Sequence, residues 1–426
     1  MELDEQRLNE AVRINTEFAS QALRVIAGAY REFPHAKENL EAQDVEERLV
    51  LVGLWGMIDP PREESRQAVA DAKEAGIRPI MITGDHAATA LAIARQVGIA
   101  EEGGEALTGA DIDKLDGPAL AEAALTSGVF ARVSPVHKLR IMESLKKKGH
   151  VVAMTGDGVN DAPALKGADI GIAMGQAGTE VAKEAADMVL TDDNFATIIH
   201  AVEEGRVIFG NLRRVVFFLL ATNLSEVLIL VAALVIGLDL PLTAVMILWV
   251  NLATDGACTV PLGVELRHRD VLRHSPRDPS EPILDRITIR RMAILAPLMA
   301  VGTLLLFWHH GKNGSLPHAQ TVAFTTIVAF QWFQALNARS QRLSVFSIGL
   351  FSNRWLLLGI GVALLLQVAA VHTSAGNRLL GTTGLSWTDW GGILAVSSSV
   401  WIVDEILKHL GVHGKSSDNP SPRSAT

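Results

Sequence analysis

A single cysteine, Cys258, in a chain of 426 residues excludes any intramolecular disulfide. No signal peptide is visible at the start, where Met1-Glu-Leu-Asp-Glu opens an acidic, amphipathic stretch. Internal repeats are absent, and low complexity is confined to a polar tail after His413, which is expected to be disordered. Positive charge is also short: a net charge of −9 gives a nucleic-acid partner no electrostatic footprint. What the chain has instead is contrast. Its mean hydropathy of +0.25 sits beside 20% charged residues, an odd average for one soluble protein. The average hides two halves: residues 1–212 hold most of the charge, and from Val215 long apolar runs alternate with short basic loops. That is a soluble region followed by a polytopic membrane region.

Crossing a bilayer takes about 20 apolar residues. Six stretches qualify, at 214–236, 241–263, 290–308, 319–337, 355–372 and 388–407. Arginine and lysine orient them. Arg267, Arg269, Arg273, Arg277 and Arg286 lie in one connection, Arg339, Arg342 and Arg354 in another, and Lys415 and Arg423 in the tail. The opposite side offers only Lys312 and Arg378. The soluble region, the two basic loops and the C-terminus are therefore expected in the cytoplasm. An even number of spans agrees with that count.

In the soluble half, Leu49 to Ile58 reads as a strand stopped by Asp59-Pro60-Pro61-Arg62. Glu63 to Ala75 reads as an exposed helix ended by Gly76. A second strand, Ile77 to Ile82, runs into Thr83-Gly84-Asp85, and Ala87 to Val97 returns as a helix. Further strands are expected at Val129–Phe130, Val151 to Met154 and Ile170 to Ala173. Strands alternating with helices imply a parallel sheet covered on both faces, with ligands at the strands' carboxyl ends.

Three polar clusters lie at those ends. Thr83-Gly84-Asp85 offers a hydroxyl and backbone N–H groups at a helix start, a natural phosphate cradle. Lys138 opens a helix and can neutralise phosphate charge. Thr155-Gly156-Asp157-Gly158-Val159-Asn160-Asp161 combines glycines for close backbone approach with two carboxylates suited to Mg²⁺. Singly, each is an ordinary turn, helix cap or solvated lysine. Their joint occurrence in this order points to phosphoryl chemistry.

The run Met154 to Leu165 (Met-Thr-Gly-Asp-Gly-Val-Asn-Asp-Ala-Pro-Ala-Leu) resembles the hinge signature of P-type ATPases. Ala168-Asp169-Ile170-Gly171-Ile172-Ala173-Met174-Gly175 and Ala185-Ala186-Asp187-Met188-Val189-Leu190 extend the resemblance. It covers about Gln21 to Leu410 and is similar to the calcium-pump-like branch. The resemblance implies an α/β haloacid-dehalogenase-like, Rossmann-like cytoplasmic domain followed by an all-α six-helix transmembrane domain. It implies ATP and Mg²⁺ as cofactors, with Asp157 holding Mg²⁺ and Asn160 and Asp161 ordering the same loop. Thr83, Gly84, Asp85 and Lys138 would serve the transferred phosphoryl group. Arg24, Asp59, Arg62 and Arg132 would lie on the nucleotide side.

By the same resemblance, residues 1–48 are the end of a nucleotide-binding domain and 49–212 a phosphorylation domain with its stalk. Residues 213–410 are the six helices and 411–426 the tail. The family forms an aspartyl-phosphate on an Asp-Lys-Thr-Gly motif, and this sequence contains no such motif. The Thr-Gly-Glu dephosphorylation loop and the first four membrane helices are absent as well. The start is expected to be a truncation, and the chain alone is expected not to turn over ATP.

Ionisable groups in mid-membrane are costly and mark function. Asn223 and Glu226 share one helix face in the first span, and Asn251, Thr254 and Asp255 share another in the second. Oxygen ligands suit a hard cation, Ca²⁺ or Mn²⁺, and no Cys-Pro-Cys is present for a soft one. Gly256 would ease local unwinding. Gln331 stands where the two-site calcium pump carries a glutamate, so one transported ion is expected. Asp404 and Glu405 are expected at the interface, and His309 and His310 in solvent. The leading reading is the carboxy-terminal part of a cation pump in the plasma membrane, in contact with membrane lipid and partnered by a missing amino-terminal half. The alternative is a catalytically silent, membrane-anchored regulatory subunit. A phosphatase of the same superfamily lacks its nucleophile.

Overall fold

The computed structural model describes residues 5–20, 23–33, 46, 49–57, 62–267, 271–273 and 275–410. Asp59 falls outside them, as do the side chain of Arg24 and the tail after Leu410. The chain divides into two compact units. One is built from residues 1–202 with 272–279, the other from 203–271 with 280–426.

The first unit opens with helix α1 (Glu5–Ser20) and an antiparallel ribbon, β1 (Arg24–Tyr30) against β2 (Val50–Met57). Arg24 faces Met57 and Tyr30 faces Val50, with a bulge at Gly28/Ala29. The expected strand from Leu49 is thus present, but it joins a ribbon rather than the parallel sheet. An apolar run of strand length does not by itself announce its partner. Here Val52 and Trp55 stay exposed, which suits a two-stranded ribbon better than a doubly covered core. The ribbon also pairs residues from both sides of the expected boundary at 48/49.

Strands and helices then alternate: α2 (Glu63–Glu74), β3 (Met81–Ile82), α3 (Ala87–Gln96), β4 (Leu107–Thr108), α4 (Gly117–Ser127), β5 (Val129–Ala131) and α5 (Pro135–Lys147). They continue through β6 (Ala153–Gly156), α6 (Ala162–Gly167), β7 (Ile170–Met174), α7 (Glu180–Ala185) and β8 (Met188–Leu190). The strands form two parallel sheets, ordered β3-β5-β4 and β6-β7-β8, where one sheet was expected. The division has a physical cause. β3 and β6 each pair on one side only, so the two sheets have no strand in common among the described residues. Helix α5 packs on both α4 and α6, and Val152 packs into the cluster of Ile112, Leu120 and Phe130. Each sheet therefore has its own hydrophobic clusters, and helix α5 with Val152 connects the two without a shared ladder.

The second unit is helical, a multi-pass membrane region. Its elements are α8 (Phe195–Ile236), α9 (Ala244–Trp249), a π-helical turn at Val250–Thr254, α10 (Asp255–Gly263), α11 (Arg286–Asn313), α12 (Leu316–Ala338), α13 (Arg354–His372), α14 (Trp387–Ser397) and α15 (Ser399–His409). All six expected spans are helical. α8 runs unbroken from Phe195, well before the expected start of the first span. Among the described residues, five segments are long and apolar enough to cross a membrane, and α12 is not one of them. The reason lies in its position: Thr321, Thr325, Thr326, Gln331, Gln334 and Asn337 are all buried against other helices. A helix sheathed by protein need not be apolar towards lipid. Close helix approach elsewhere depends on small residues. A Cβ on Gly359 of α13 would lie 2.1 Å from the Ala257 carbonyl oxygen of α10.

Two buried ion pairs sit at the end of this unit that carries the basic connections. Arg291 donates to both carboxylate oxygens of Asp404, at 2.9 and 2.8 Å, and to the Asn337 carbonyl at 3.1 Å. Lys408 adds a contact to Asp404 at 2.9 Å. Arg339 donates to Glu265, with 2.8 Å the shortest contact, and Asn353 donates to the same carboxylate at 2.7 Å. Asp404 was expected at the interface; it is fully buried, because Arg291 from α11 reaches it.

Candidate functional site

Within the first unit, the loops at the strands' carboxyl ends meet through backbone hydrogen bonds. Thr83 N–H donates to the Phe130 carbonyl (2.9 Å), Val133 N–H to the Thr83 carbonyl (3.3 Å) and Arg132 N–H to the Asp85 carbonyl (3.0 Å). Arg132 takes φ = 50° to do so, a left-handed conformation costly for a side-chain-bearing residue. The Thr83 hydroxyl donates to the Asp85 carboxylate at 2.8 Å, closing a tight turn. Helix α3 starts after this turn, capped by His86 rather than Asp85. A phosphate oxygen would have to compete with Asp85 for the Thr83 hydroxyl.

Lys138 lies in the first turn of α5 and donates to Asp161 at 2.5 Å, with both side chains largely buried. The other Asp161 oxygen accepts the N–H groups of Asp157 (3.3 Å) and Gly158 (3.2 Å). Asp161 is therefore saturated, and it fixes the loop. Gly156 permits this: a Cβ there would lie 2.5 Å from the Asp161 Cβ. Asp157 has an exposed carboxylate with no hydrogen-bond partner among the described residues, and Asn160 is exposed beside it. Mg²⁺ takes one or two carboxylates plus phosphate and water oxygens, so a free Asp157 fits the ion. No hydrogen bond joins the Thr83–Asp85 turn directly to the 155–161 loop among the described residues. Lys138 is the side chain that reaches across.

Arg62 caps α2 and donates to the Asp193 carbonyl at 3.2 Å. Asp193 was not singled out from the sequence. Its carboxylate accepts the N–H groups of Gly175 (2.6 Å), Gln176 (3.0 Å) and Ala177 (2.7 Å). The Gln176 N–H foremost, with the other two and the Arg62 charge, holds this carboxyl below the usual range. A left-handed φ of 50° at a short acidic residue was the available signal, and it is not visible in sequence. Arg24 lies in β1.

Within the second unit, α8 brings Glu226 to the π-helical turn. Asn251 donates to Glu226 Oε2 at 3.2 Å and to the Ile247 carbonyl at 3.0 Å. Thr254 donates to Gln331 Oε1 of α12 at 2.7 Å. Asp255, 2% exposed, sits within the electrostatic reach of Glu226. Glu226 Oε1 and both Asp255 oxygens are buried without a hydrogen-bond partner. Neither carboxylate has a basic partner among the described residues. Buried, unpaired carboxylates cost several kcal/mol unless a proton or cation balances them. Unpartnered carboxylate oxygens beside amide and hydroxyl oxygens form a donor set for a hard cation. Asn223, expected to join them, is half-buried and makes no hydrogen bond to the cluster. Gln331, uncharged as read from the sequence, accepts the Thr254 hydroxyl. The π-turn separates the expected shared face, so that Asn251 meets α8 and Thr254 meets α12.

Residues 239–410 match the family described as cation transporting ATPase, C-terminus, and residues 4–169 match haloacid dehalogenase-like hydrolase. Calcium-transporting ATPase 1 of Bacillus cereus is 40% identical over 423 residues, covering 96% of this chain and 47% of that protein. Calcium-transporting ATPase of Bacillus subtilis is 41% identical, covering 92% of this chain and 44% of its own. Mouse calcium-transporting ATPase type 2C member 2 is 44% identical, with 85% and 38% covered. The chain spans about half the length of the curated relatives it matches.

Proposed function

Because the chain belongs to the P-type cation-transporting ATPase family, matching its calcium-pump-like members over their carboxy-terminal half, we propose that it is the carboxy-terminal part of a pump coupling ATP hydrolysis to transport of Ca²⁺ or Mn²⁺. The observation that carries the reading is the trio of buried, unpartnered oxygens on Glu226 and Asp255. A hard divalent cation would engage them together with the Asn251 carbonyl and the Thr254 hydroxyl. One ion per cycle follows, since Gln331 brings an amide and no charge.

In the phosphoryl-transfer unit, Mg²⁺ on Asp157 would shield the phosphate charge. Lys138 would add a second positive charge, Thr83 and Gly84 would hold phosphoryl oxygens, and Asn160 and Asp161 would keep the loop in shape. Arg24, Asp59, Arg62 and Arg132 would lie towards ATP. The nucleophilic aspartate would come from a companion segment, the amino-terminal half. The unpaired outer edges of β3 and β6 support this, because an exposed strand edge is a template for another strand. The arginine bias of the connections supports a cytoplasmic phosphoryl-transfer unit and C-terminus, and the plasma membrane is the location proposed with it.

A second reading is a catalytically silent, membrane-anchored regulatory subunit. Co-expression with the part of the Bacillus cereus relative that this chain does not match separates the two. The pump reading expects an acid-stable, hydroxylamine-sensitive phosphoenzyme from labelled ATP in the pair and none from the chain alone. No phosphoenzyme in a pair that co-purifies refutes the pump reading and leaves the silent subunit.

A further inference from the structure

We propose that His310, His318 and Asp389 form a binding site for a zinc-class divalent transition-metal ion, separate from the transport cluster. His310 lies near the end of α11, His318 in the first turn of α12 and Asp389 in the first turn of α14. This is the end of the helical unit opposite the Arg291 and Arg339 pairs, since α11 begins and α12 finishes there. One ligand atom from each of the three residues lies within 4.8 Å of the others. His310 Nδ1 is 3.8 Å from Asp389 Oδ1, and His318 Nε2 is 3.7 Å from Asp389 Oδ2.

Those separations are too long for hydrogen bonds, so the three side chains do not satisfy one another. Zinc bonds of about 2.0–2.2 Å put tetrahedral ligand atoms roughly 3.3–3.6 Å apart. A closure of a few tenths of an ångström on each histidine–carboxylate contact would bring those two pairs to that spacing.

The surroundings already orient the donors. Asp389 Oδ2 accepts the Ser386 N–H at 2.7 Å and its hydroxyl at 2.8 Å, which fixes the carboxylate and leaves Oδ1 to His310. The Thr383 hydroxyl lies 3.4 Å from His318 Nδ1, on the far side of the ring from Asp389. A partner on the second ring nitrogen is the usual support of a ligating imidazole. Thr383 is itself held, its N–H donating to Thr321 at 2.9 Å. The His310 side chain, expected in solvent from the sequence, is only 22% exposed, and that of His318 is 27% exposed. Two imidazoles and one carboxylate, with a water to complete four ligands, suit Zn²⁺ and its neighbours rather than Ca²⁺. An ion there ties α11, α12 and α14 together.

The test uses the full chain without a histidine tag, in detergent, titrated with Zn²⁺ against a chromogenic chelator and with Co²⁺ followed by its visible spectrum. The site expects one ion per chain, a four-coordinate Co²⁺ spectrum and an upward shift in melting temperature on Zn²⁺ addition. His310→Ala and His318→Ala should each weaken binding by about 100-fold, while His409→Ala leaves it unchanged. Both histidine variants should elute as the parent does, since neither side chain belongs to the packed core. Binding that survives the double histidine variant, no four-coordinate Co²⁺ spectrum, or displacement of Zn²⁺ by equimolar Ca²⁺ overturns the proposal.

Discussion

Replacing Asp404 with asparagine should be among the most damaging single changes in the helical unit. Arg291 is 1% exposed and Asp404 is fully buried. Asp404→Asn removes the charge that two arginine contacts at 2.9 and 2.8 Å and a lysine contact at 2.9 Å now share. Arg291 would keep one neutral amide oxygen at position 404, the Asn337 carbonyl and the ring of Phe217, 4.3 Å from its guanidinium carbon, but no counter-charge. Lys408 would keep Glu405 at 3.2 Å. Breaking a buried pair on one side costs about 3–5 kcal/mol, because a charge is left without compensation. That corresponds to roughly two to three and a half powers of ten in the unfolding equilibrium. Removing both charges in Arg291→Met/Asp404→Leu should cost less than Asp404→Asn alone, since well-packed apolar replacements of buried pairs are often near neutral. Titrating the full chain with SDS in mixed micelles, followed by tryptophan fluorescence, reads the ranking. A cost below about 1 kcal/mol for Asp404→Asn, the value of an exposed pair, would refute the claim that this cluster is desolvated and interdependent.

In the first unit, Gly156→Ala should disorder the 155–161 loop, seen as lost NMR dispersion for Asp157 and Gly158, because the added Cβ collides with Asp161. Lys138→Met should destabilise the same loop by about 1–3 kcal/mol in chemical denaturation, since Asp161 keeps its two N–H donors but loses its charge partner. Asp169 is held below the usual carboxylate range first by the Val152 N–H and then by Lys146. Its contribution is present above the unfolded carboxylate value near 4 and fades as pH falls through the lower folded value. Asp169→Asn should therefore cost about 1 kcal/mol at pH 7, discounted for partial exposure, and the difference from the parent should vanish in acid. Gly359→Ala should force α13 away from α10 and lower the melting temperature of the chain in detergent, whereas Gly361→Ala, with open space around it, should not.

The loops were legible because glycine, threonine and aspartate at strand ends have a chemistry of their own, and the structure brings Lys138 to Asp161 as their order suggested. The spans were legible because lipid imposes length and hydropathy on whatever faces it. What escaped were the pairings that depend on the third dimension. Leu51 and Trp55 do not say whether their strand joins a ribbon or a core. Asp404 looked interfacial because its partner, Arg291, is 113 residues away in sequence. The meeting of Gln331 with Thr254 was not visible either, because only the fold brings the two together. His310 looked solvated because neither His318, across a helix turn, nor Asp389, on a later helix, is implied by its neighbours. The 319–337 span was read correctly as a helix, and what the sequence did not show is that its polar residues are spent inside the bundle.

The central claim is tested most directly by ATP-driven uptake of labelled Ca²⁺ or Mn²⁺ into sealed vesicles holding this chain together with the complementary segment of the Bacillus cereus relative. The parent pair should accumulate one of these ions. Asp255→Asn, which removes a carboxylate with two unpartnered oxygens, should reduce uptake at least tenfold, with Gln331→Ala falling between the two. Normal uptake by Asp255→Asn, or a parent pair driven by Cu⁺ or Zn²⁺ instead, would contradict the account.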